Sequence, residues 1–356
     1  MSAETGAAPA GLPETPTAAN TAFIREHLAH RWADIREVPT WKGHRERVRA
    51  AARERGLTVT GGKSATLFFD GERCVGALAG MMPSTVGAFA RSVCASKART
   101  RTLLSSSGLP VPRGVVLSAR SDRQKAEEYL ARHPQARFVL KPVDGRGGRG
   151  ITTGITNAQE LERAWGPATR GSSKKRLVLE EEVPGVDTRI FVADGLAASA
   201  AARIPPFVIG DGSSSVDQLH ERFSGARSQN AYLRANRISL DHGVLERQGV
   251  GLATVPEQGR IVFLNGTGNV SQGGVNADVT ELVAPQMLRL AERAVSAVPG
   301  LHTAGVDLLM PTAEDAGAAR VIELNTSPNL SLHEYPAYGE PQDVAGRIVE
   351  GILSAS

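Results

Sequence analysis

Cysteine is nearly absent: Cys74 and Cys94 are the only two in the chain. Without a second pair there is neither a zinc-ligand set nor a disulfide framework, so a reducing, cytoplasmic setting is expected. Aromatic residues make up 4%, too few for the stacking platforms that bind single-stranded nucleic acids. Neither sign of charge dominates, with 41 Lys and Arg against 37 Asp and Glu and a net charge of +4. The basic residues are scattered rather than gathered into a stripe, which favours small anions over nucleic acid as partners. Long apolar runs are missing too. GALAGMMPSTVGAFA is broken at Pro83, Ser84 and Thr85, whereas a membrane span needs roughly 18 uninterrupted apolar residues, so a soluble protein without a membrane partner is expected. The first twenty residues lack both the basic start and the apolar stretch of a secretory signal, and residues 1–20 read as a disordered leader. There is no internal repeat.

What remains is an ordinary globular composition, 356 residues of which 41% are hydrophobic and 22% charged, enough for two or three compact subdomains. KGHRERVRAAARERG, closed by Gly56, has a helical pattern, and ATLFFD at 65–70 reads as a strand. A helical stretch from Ser84 to Ser107 ends at Gly108, and GLPVPRG turns the chain into a strand at VVL. Residues 115–183 alternate strands and helices around a glycine loop, with Asn157 and Glu160 framing the start of the helix NAQELERAW. The segment 211–248 is polar and basic, and exposed helices and loops are expected there. APQMLRLAERAVSAV places Met287, Ala291, Ala294 and Val298 on one helical face, and AGVDLLM and RVIELN read as strands. The divisions that follow are 21–95, an N-terminal subdomain; 96–185; and 186–356.

The chemistry concentrates in VLKPVDGRGGRG, residues 139–150, where a strand ends in Lys141 and runs into four glycines and two arginines. GLTVTGGKS at 56–64 resembles a Walker A loop, but five residues rather than four separate Gly56 from Gly62, and it reads as a turn. Gly145, Gly147 and Gly150 satisfy G-x-G-x-x-G, yet ITTGI follows and is strand-like, not the helix that a dinucleotide fold requires. The glycines therefore belong at a hairpin tip. Such a tip is either a plain surface turn or a flap whose backbone N–H groups close over phosphates. Far along the chain, Asp307 lies in one strand, and Glu323 and Asn325 share a face of another at i, i+2. Three hard-oxygen side chains on two strands make either a solvent-facing sheet surface or a magnesium site.

Taken together, the spaced motifs SKARTRTLLSSSGLPVPRG, FVLKPVDGRGGRGITTGI, LVLEEEVPGVDTRIFV, RIPPFVIGDG, NVSQGG and ELNTSPNLSLHEYPAYG resemble the ATP-grasp family of carboxylate–amine ligases, and within it the modules of cyanophycin synthetase and bifunctional glutathione synthetases. The resemblance covers roughly residues 84 to 351. It implies an α/β (α+β) ATP-grasp fold in which two α+β lobes hold a nucleotide, preceded by a small N-terminal α/β subdomain.

The resemblance also implies roles for residues. Lys97 and Lys141 would contact the phosphates of ATP, with the hairpin of Gly147, Gly148 and Gly150 as their lid. Glu180 would meet the adenine amino group, Val183 the adenine edge through its backbone, and Asp187 the ribose. Asp307, Glu323 and Asn325 would ligate Mg2+, two ions in all. Arg189 and Arg203 would face the transferring phosphate and the oxyanion. Asn269, Ser271, Gly273 and Gly274 would lie beside the substrates; His333 matches a position at the end of the site and reads equally as substrate-binding or structural. The family's usual Asp-Lys pair is Ser96-Lys97 here, Gln272 stands where threonine is usual, and Asn265 where an arginine is expected. The implied activity is ADP-forming ligation of a small-molecule carboxylate and an amine through an acyl phosphate, with peptide bond formation between amino acids or onto a peptide-like acceptor. Cyclisation, thioester formation and nucleotide binding without turnover are the alternatives. A homodimer is compatible with this reading.

Overall fold

The computed structural model describes residues 12–145 and 149–356. Helix α1 (Pro16–Phe23) begins where Thr15 accepts a 3.1 Å hydrogen bond from the Ala18 N–H and proline occupies the first turn. It buries Ala19, Asn20 and Phe23. The leader expected through residue 20 is thus helical from Pro16: a Thr-Pro start signal and a buried face outweigh the low hydrophobicity around them. Helix α2 (His44–Glu54) follows, then a meander of β1 (Thr58–Gly61), β2 (Ala65–Asp70), β3 (Arg73–Ala79) and β4 (Met82–Pro83). GLTVTGGKS is a strand and a turn, with Gly61 at φ 83°. The helical stretch expected from Ser84 to Ser107 is two helices, α3 (Ala88–Cys94) and α4 (Lys97–Ser106), because the Ser96 hydroxyl accepts from the Arg99 N–H and caps a new start.

A four-stranded antiparallel sheet comes next. It is built from β5 (Gly114–Ser118), β6 (Phe138–Pro142), β7 (Thr152–Ile155) and β8 (Arg176–Glu181) in the order β5-β8-β6-β7, backed by α5 (Arg123–Ala131) and α6 (Ala158–Gly171). Strands β6 and β7 pair as Phe138 with Ile155 and Leu140 with Thr152, so they form a hairpin with Gly145 and Gly150 between them. Asn157 caps α6 by accepting from the Glu160 N–H at 3.0 Å, and the Glu160 carboxylate reaches back to the Thr156 N–H. Leu117, Phe138, Leu140, Leu161, Leu177 and Leu179 close this sheet's own core, each buried side chain stabilising by about 2 kcal/mol.

The larger sheet contains β9 (Val186–Ala193) and β10 (Leu196–Ile204). A ribbon of β11 (Phe207–Ile209) and β12 (Ile261–Phe263) brackets α7 (Val216–Ser228), α8 (Ala231–Arg234) and α9 (His242–Arg247). Then follow β13 (Val275–Asp278), α10 (Pro285–Ser296), β14 (Ala304–Met310), β15 (Arg320–Asn325), α11 (Ser331–Glu334) and α12 (Val344–Ser354). The sheet is antiparallel throughout, in the order β13-β10-β9-β14-β15. The segment 211–248 is not merely exposed: α7 buries Val216, Leu219, Phe223 and Arg227, and α8 buries Tyr232 and Leu233. A polar average concealed an apolar face of helical period.

Two packing facts bear on the site. Leu104 of α4 and the following Leu109 belong to the core of the larger sheet, so α4, grouped from the sequence with residues 96–185, packs on the larger lobe. Helix α12 packs against α2, and together with Phe68, Val75, Leu78, Phe191 and Ala193 they form one core. The N-terminal elements are therefore fastened to the larger lobe rather than standing apart.

Candidate active site

Strand parity sets the site. Asp187 and Arg189 leave β9 on the same face. Arg203 of β10 is the register partner of Asp187, Asp307 of β14 that of Arg189, and Glu323 of β15 that of Asp307. Arg189 makes a two-pronged contact with Asp307, Nε to Oδ1 at 2.6 Å and Nη2 to Oδ2 at 2.8 Å. Arg203 Nη2 lies 3.0 Å from Asp307 Oδ2 and also pairs with Asp187. Asn325 donates its amide to Asp307 at 3.3 Å. Gly305 makes this possible, because a Cβ there would come within 2.7 Å of Pro328 Cβ and 3.1 Å of Arg189 Cδ.

The pKa values follow from that clustering. Burial by itself would raise the Asp307 carboxyl, but Arg189 and Arg203 outweigh it and hold it below the usual carboxylate range. Burial likewise opposes the Arg203 charge, and Asp187 and Asp307 more than restore it. For Asp187 burial wins and raises the carboxyl, against the pull of Arg203.

The remaining cations come from elsewhere. Lys97, the first residue of α4, forms an ion pair with Glu323, 226 positions away. The nearby Cys94 thiol is pushed up to about 12 by burial and then by the Glu323 carboxylate. Lys141 of β6 pairs with Glu180 of β8, both buried. Val183 lies half-buried in the connection between β8 and β9. Gly150 has φ 73°, and a Cβ would meet the Pro167 carbonyl at 2.9 Å; Gly147 and Gly148 lie outside the described residues. Asp307, Glu323 and Asn325 are thus brought together. Among the described residues no three His, Cys, Asp or Glu side chains form a metal cluster, but two carboxylates and an amide are a hard-oxygen set that fits magnesium.

The loop 265–274 rests directly on β10. A Cβ on Gly268 would overlap the Arg203 carbonyl oxygen, one on Gly274 the Gly268 carbonyl, and one on Gly273, at φ 98°, the Ile238 backbone. The Asn269 carbonyl accepts from the N–H groups of Gln272 at 2.9 Å and Gly274 at 3.1 Å, and Ser271 is exposed. His333 is 1% exposed, with Nδ1 2.7 Å from the Ser199 hydroxyl and its ring edge-on to Phe191. Burial, then the Arg189 and Arg203 charges, lower it to about 3, so it is neutral.

Three residues escaped the sequence reading. Arg227, 3% exposed, donates to the Asn236 carbonyl at 3.1 Å and the Gly274 carbonyl at 3.2 Å, and burial lowers it to about 10. Tyr232 and Trp41 lie with ring centroids 5.9 Å apart and planes tilted by 41°, and the Tyr232 hydroxyl accepts from the Asn329 amide. An arginine on the apolar face of α7 was the one available signal.

No family model matches the sequence. Cyanophycin synthetase of Trichormus variabilis is 34% identical over 279 residues, 76% of this chain and 30% of the relative. The glutathione biosynthesis bifunctional protein of Enterococcus faecalis is 30% identical over 259 residues, 69% of this chain and 33% of that protein. The chain thus spans about a third of the length of the curated relatives it matches. The crystal structure of a bifunctional glutathione synthetase from Pasteurella multocida superposes with a TM-score of 0.63 at 22% identity, covering 87% of this chain and 44% of that one. The chain has the ATP-grasp fold. Within it, the Lys141–Glu180 pair and the row from Arg203 to Glu323 lie on the two sheets that the connection from Glu181 to Val186 joins. No helix among the described residues is long and apolar enough to cross a membrane.

Proposed function

We propose that this chain is an ATP-dependent, ADP-forming carboxylate–amine ligase that joins amino acids, or an amino acid to a peptide-like acceptor, by an amide bond. Its curated relatives are named as a cyanophycin synthetase and a glutathione biosynthesis bifunctional protein. The observation that carries the reading is the meeting of Lys97 with Glu323, itself in register with Asp307. A lysine assigned to phosphate and carboxylates assigned to metal come from separate motifs and converge on one sheet face.

In this reading Lys141 and Lys97 hold the phosphates of ATP, Glu180 and the Val183 backbone hold adenine, and Asp187 holds the ribose. Asp307, Glu323 and Asn325 would hold magnesium, which when bound neutralises phosphate charge. The substrate carboxylate attacks the γ-phosphorus and ADP leaves. The amine nitrogen then attacks the acyl phosphate carbonyl, and the tetrahedral adduct expels inorganic phosphate as the nitrogen loses its proton. Phosphoryl transfer needs positioning and charge neutralisation rather than a protein nucleophile. Arg203, whose buried Nε has no hydrogen-bond partner in the protein, is the donor this reading assigns to the developing oxyanion. A donor of that kind is worth about 3 kcal/mol in the transition state.

The test is ATP-dependent phosphate release over paired amino acids, with products identified by mass. Wild type is expected to form an amide with some pair, and Glu323→Ala to lose at least about a hundredfold in kcat while keeping its circular dichroism. Unchanged turnover in Glu323→Ala, or no phosphate release across the panel, would overturn the reading.

A further inference from the structure

An aromatic group lies beside the segment that follows β15, and one of its members stands outside the sequence motifs that carry the resemblance to known ligases. Trp41 precedes residue 84, where the motifs shared with those ligases begin, and its segment crosses onto the larger lobe: Val38 bridges to Asn230, and the Lys42 N–H donates to the Tyr335 hydroxyl. The indole N–H donates to the Ser331 hydroxyl at 2.9 Å. That bond fixes the ring, which packs at a tilt against Tyr232 with centroids 5.9 Å apart, and the Tyr232 ring in turn lies 6.4 Å from that of Tyr335. The Tyr232 hydroxyl accepts at 2.9 Å from the amide of Asn329, four residues beyond Asn325 at the end of β15, and Ser331 begins the short helix α11 that carries His333, so this group borders the candidate site. Tyr232 is 3% exposed, but Trp41 keeps 43% of its surface open although it is the largest side chain of the group.

A tryptophan held by its own N–H and propped by a neighbouring ring, with much of its surface open, is a preformed apolar contact surface that costs little ordering on binding. The surrounding segment, WKGHRERVR, is basic, which disfavours a cationic occupant. We propose that Trp41 is a specificity-determining residue that receives the apolar side chain, aromatic or branched aliphatic, of the amino-acid substrate. This inference rests on the ligase reading above. It gives the N-terminal elements a direct part in substrate choice.

The experiment compares wild type, Trp41→Ala and Trp41→Phe in the phosphate-release assay, with glycine, L-leucine and L-phenylalanine varied in turn against a fixed second amino acid. The expected result is a KM for leucine and phenylalanine raised about tenfold in Trp41→Ala, partial rescue in Trp41→Phe, and KM for ATP and for glycine unmoved. Equal losses for all three amino acids, or a shifted KM for ATP, would make Trp41 a structural residue and overturn the proposal. Turnover in wild type with unaltered selectivity in Trp41→Ala removes this inference alone. Absence of turnover in wild type removes the ligase reading and this inference with it.

Discussion

In the four-stranded sheet one buried lysine meets one buried glutamate, Lys141 with Glu180, whereas in the larger sheet Asp307 accepts from Arg189, Arg203 and the Asn325 amide, and Arg203 also pairs with Asp187. Both are charges withdrawn from water, but they are held differently. The isolated pair depends entirely on its single partner. In the network, Asp307 meets three donors, and Arg203 keeps Asp187 if Asp307 is lost. Burial of this kind is expensive for any charge left alone, so the two sheets should respond unequally to the loss of one residue, and the most connected residue should matter most.

The sharpest break is Asp307→Ala. It strips Arg189 of its carboxylate partner and Arg203 of one of two, and urea denaturation should show a loss of about 5 kcal/mol. Lys141→Ala comes next, at about 3 kcal/mol, because it strands Glu180. The double variant Lys141→Met with Glu180→Gln should recover most of that loss, since it removes the charge instead of orphaning it. Equal losses in Asp307→Ala and Lys141→Ala would erase the distinction drawn between pair and network. The smallest effect belongs to Lys97→Ala. Its partner Glu323 keeps 29% of its side-chain surface in water, so the denaturation midpoint should move by less than about 1 kcal/mol. Under the proposed function, phosphate release should nonetheless fall steeply in Lys97→Ala, which separates a contact that matters for turnover from one that matters for stability.

The sequence disclosed this site unevenly. The i, i+2 spacing of Glu323 and Asn325 was enough to put them on one face, since strand parity is a local property. The hairpin character of residues 139–155 was equally local, because ITTGI alternates like a strand. The partners of those residues were not visible. Arg189 and Asp307 are 118 positions apart, and no local pattern states which strands become neighbours. Residues 211–248 misled because composition was averaged where periodicity should have been counted: Val216, Leu219 and Phe223 recur at helical spacing amid polar neighbours. The helix at Pro16 was missed although Thr15 and Pro16 announced it. Ser96, noted only as a departure from the Asp-Lys pattern, proved to be the cap that starts α4 and so orients Lys97.

The glycines of the 265–274 loop leave one lasting mark. A larger residue at Gly268 would have to displace the backbone of Arg203, one at Gly273 that of Ile238, and one at Gly274 that of the loop itself. Under the proposed function, new substrate preferences, whether selected in nature or engineered, would be written at the exposed Ser271 and half-buried Gln272 side chains, while the spine of the loop stays bare.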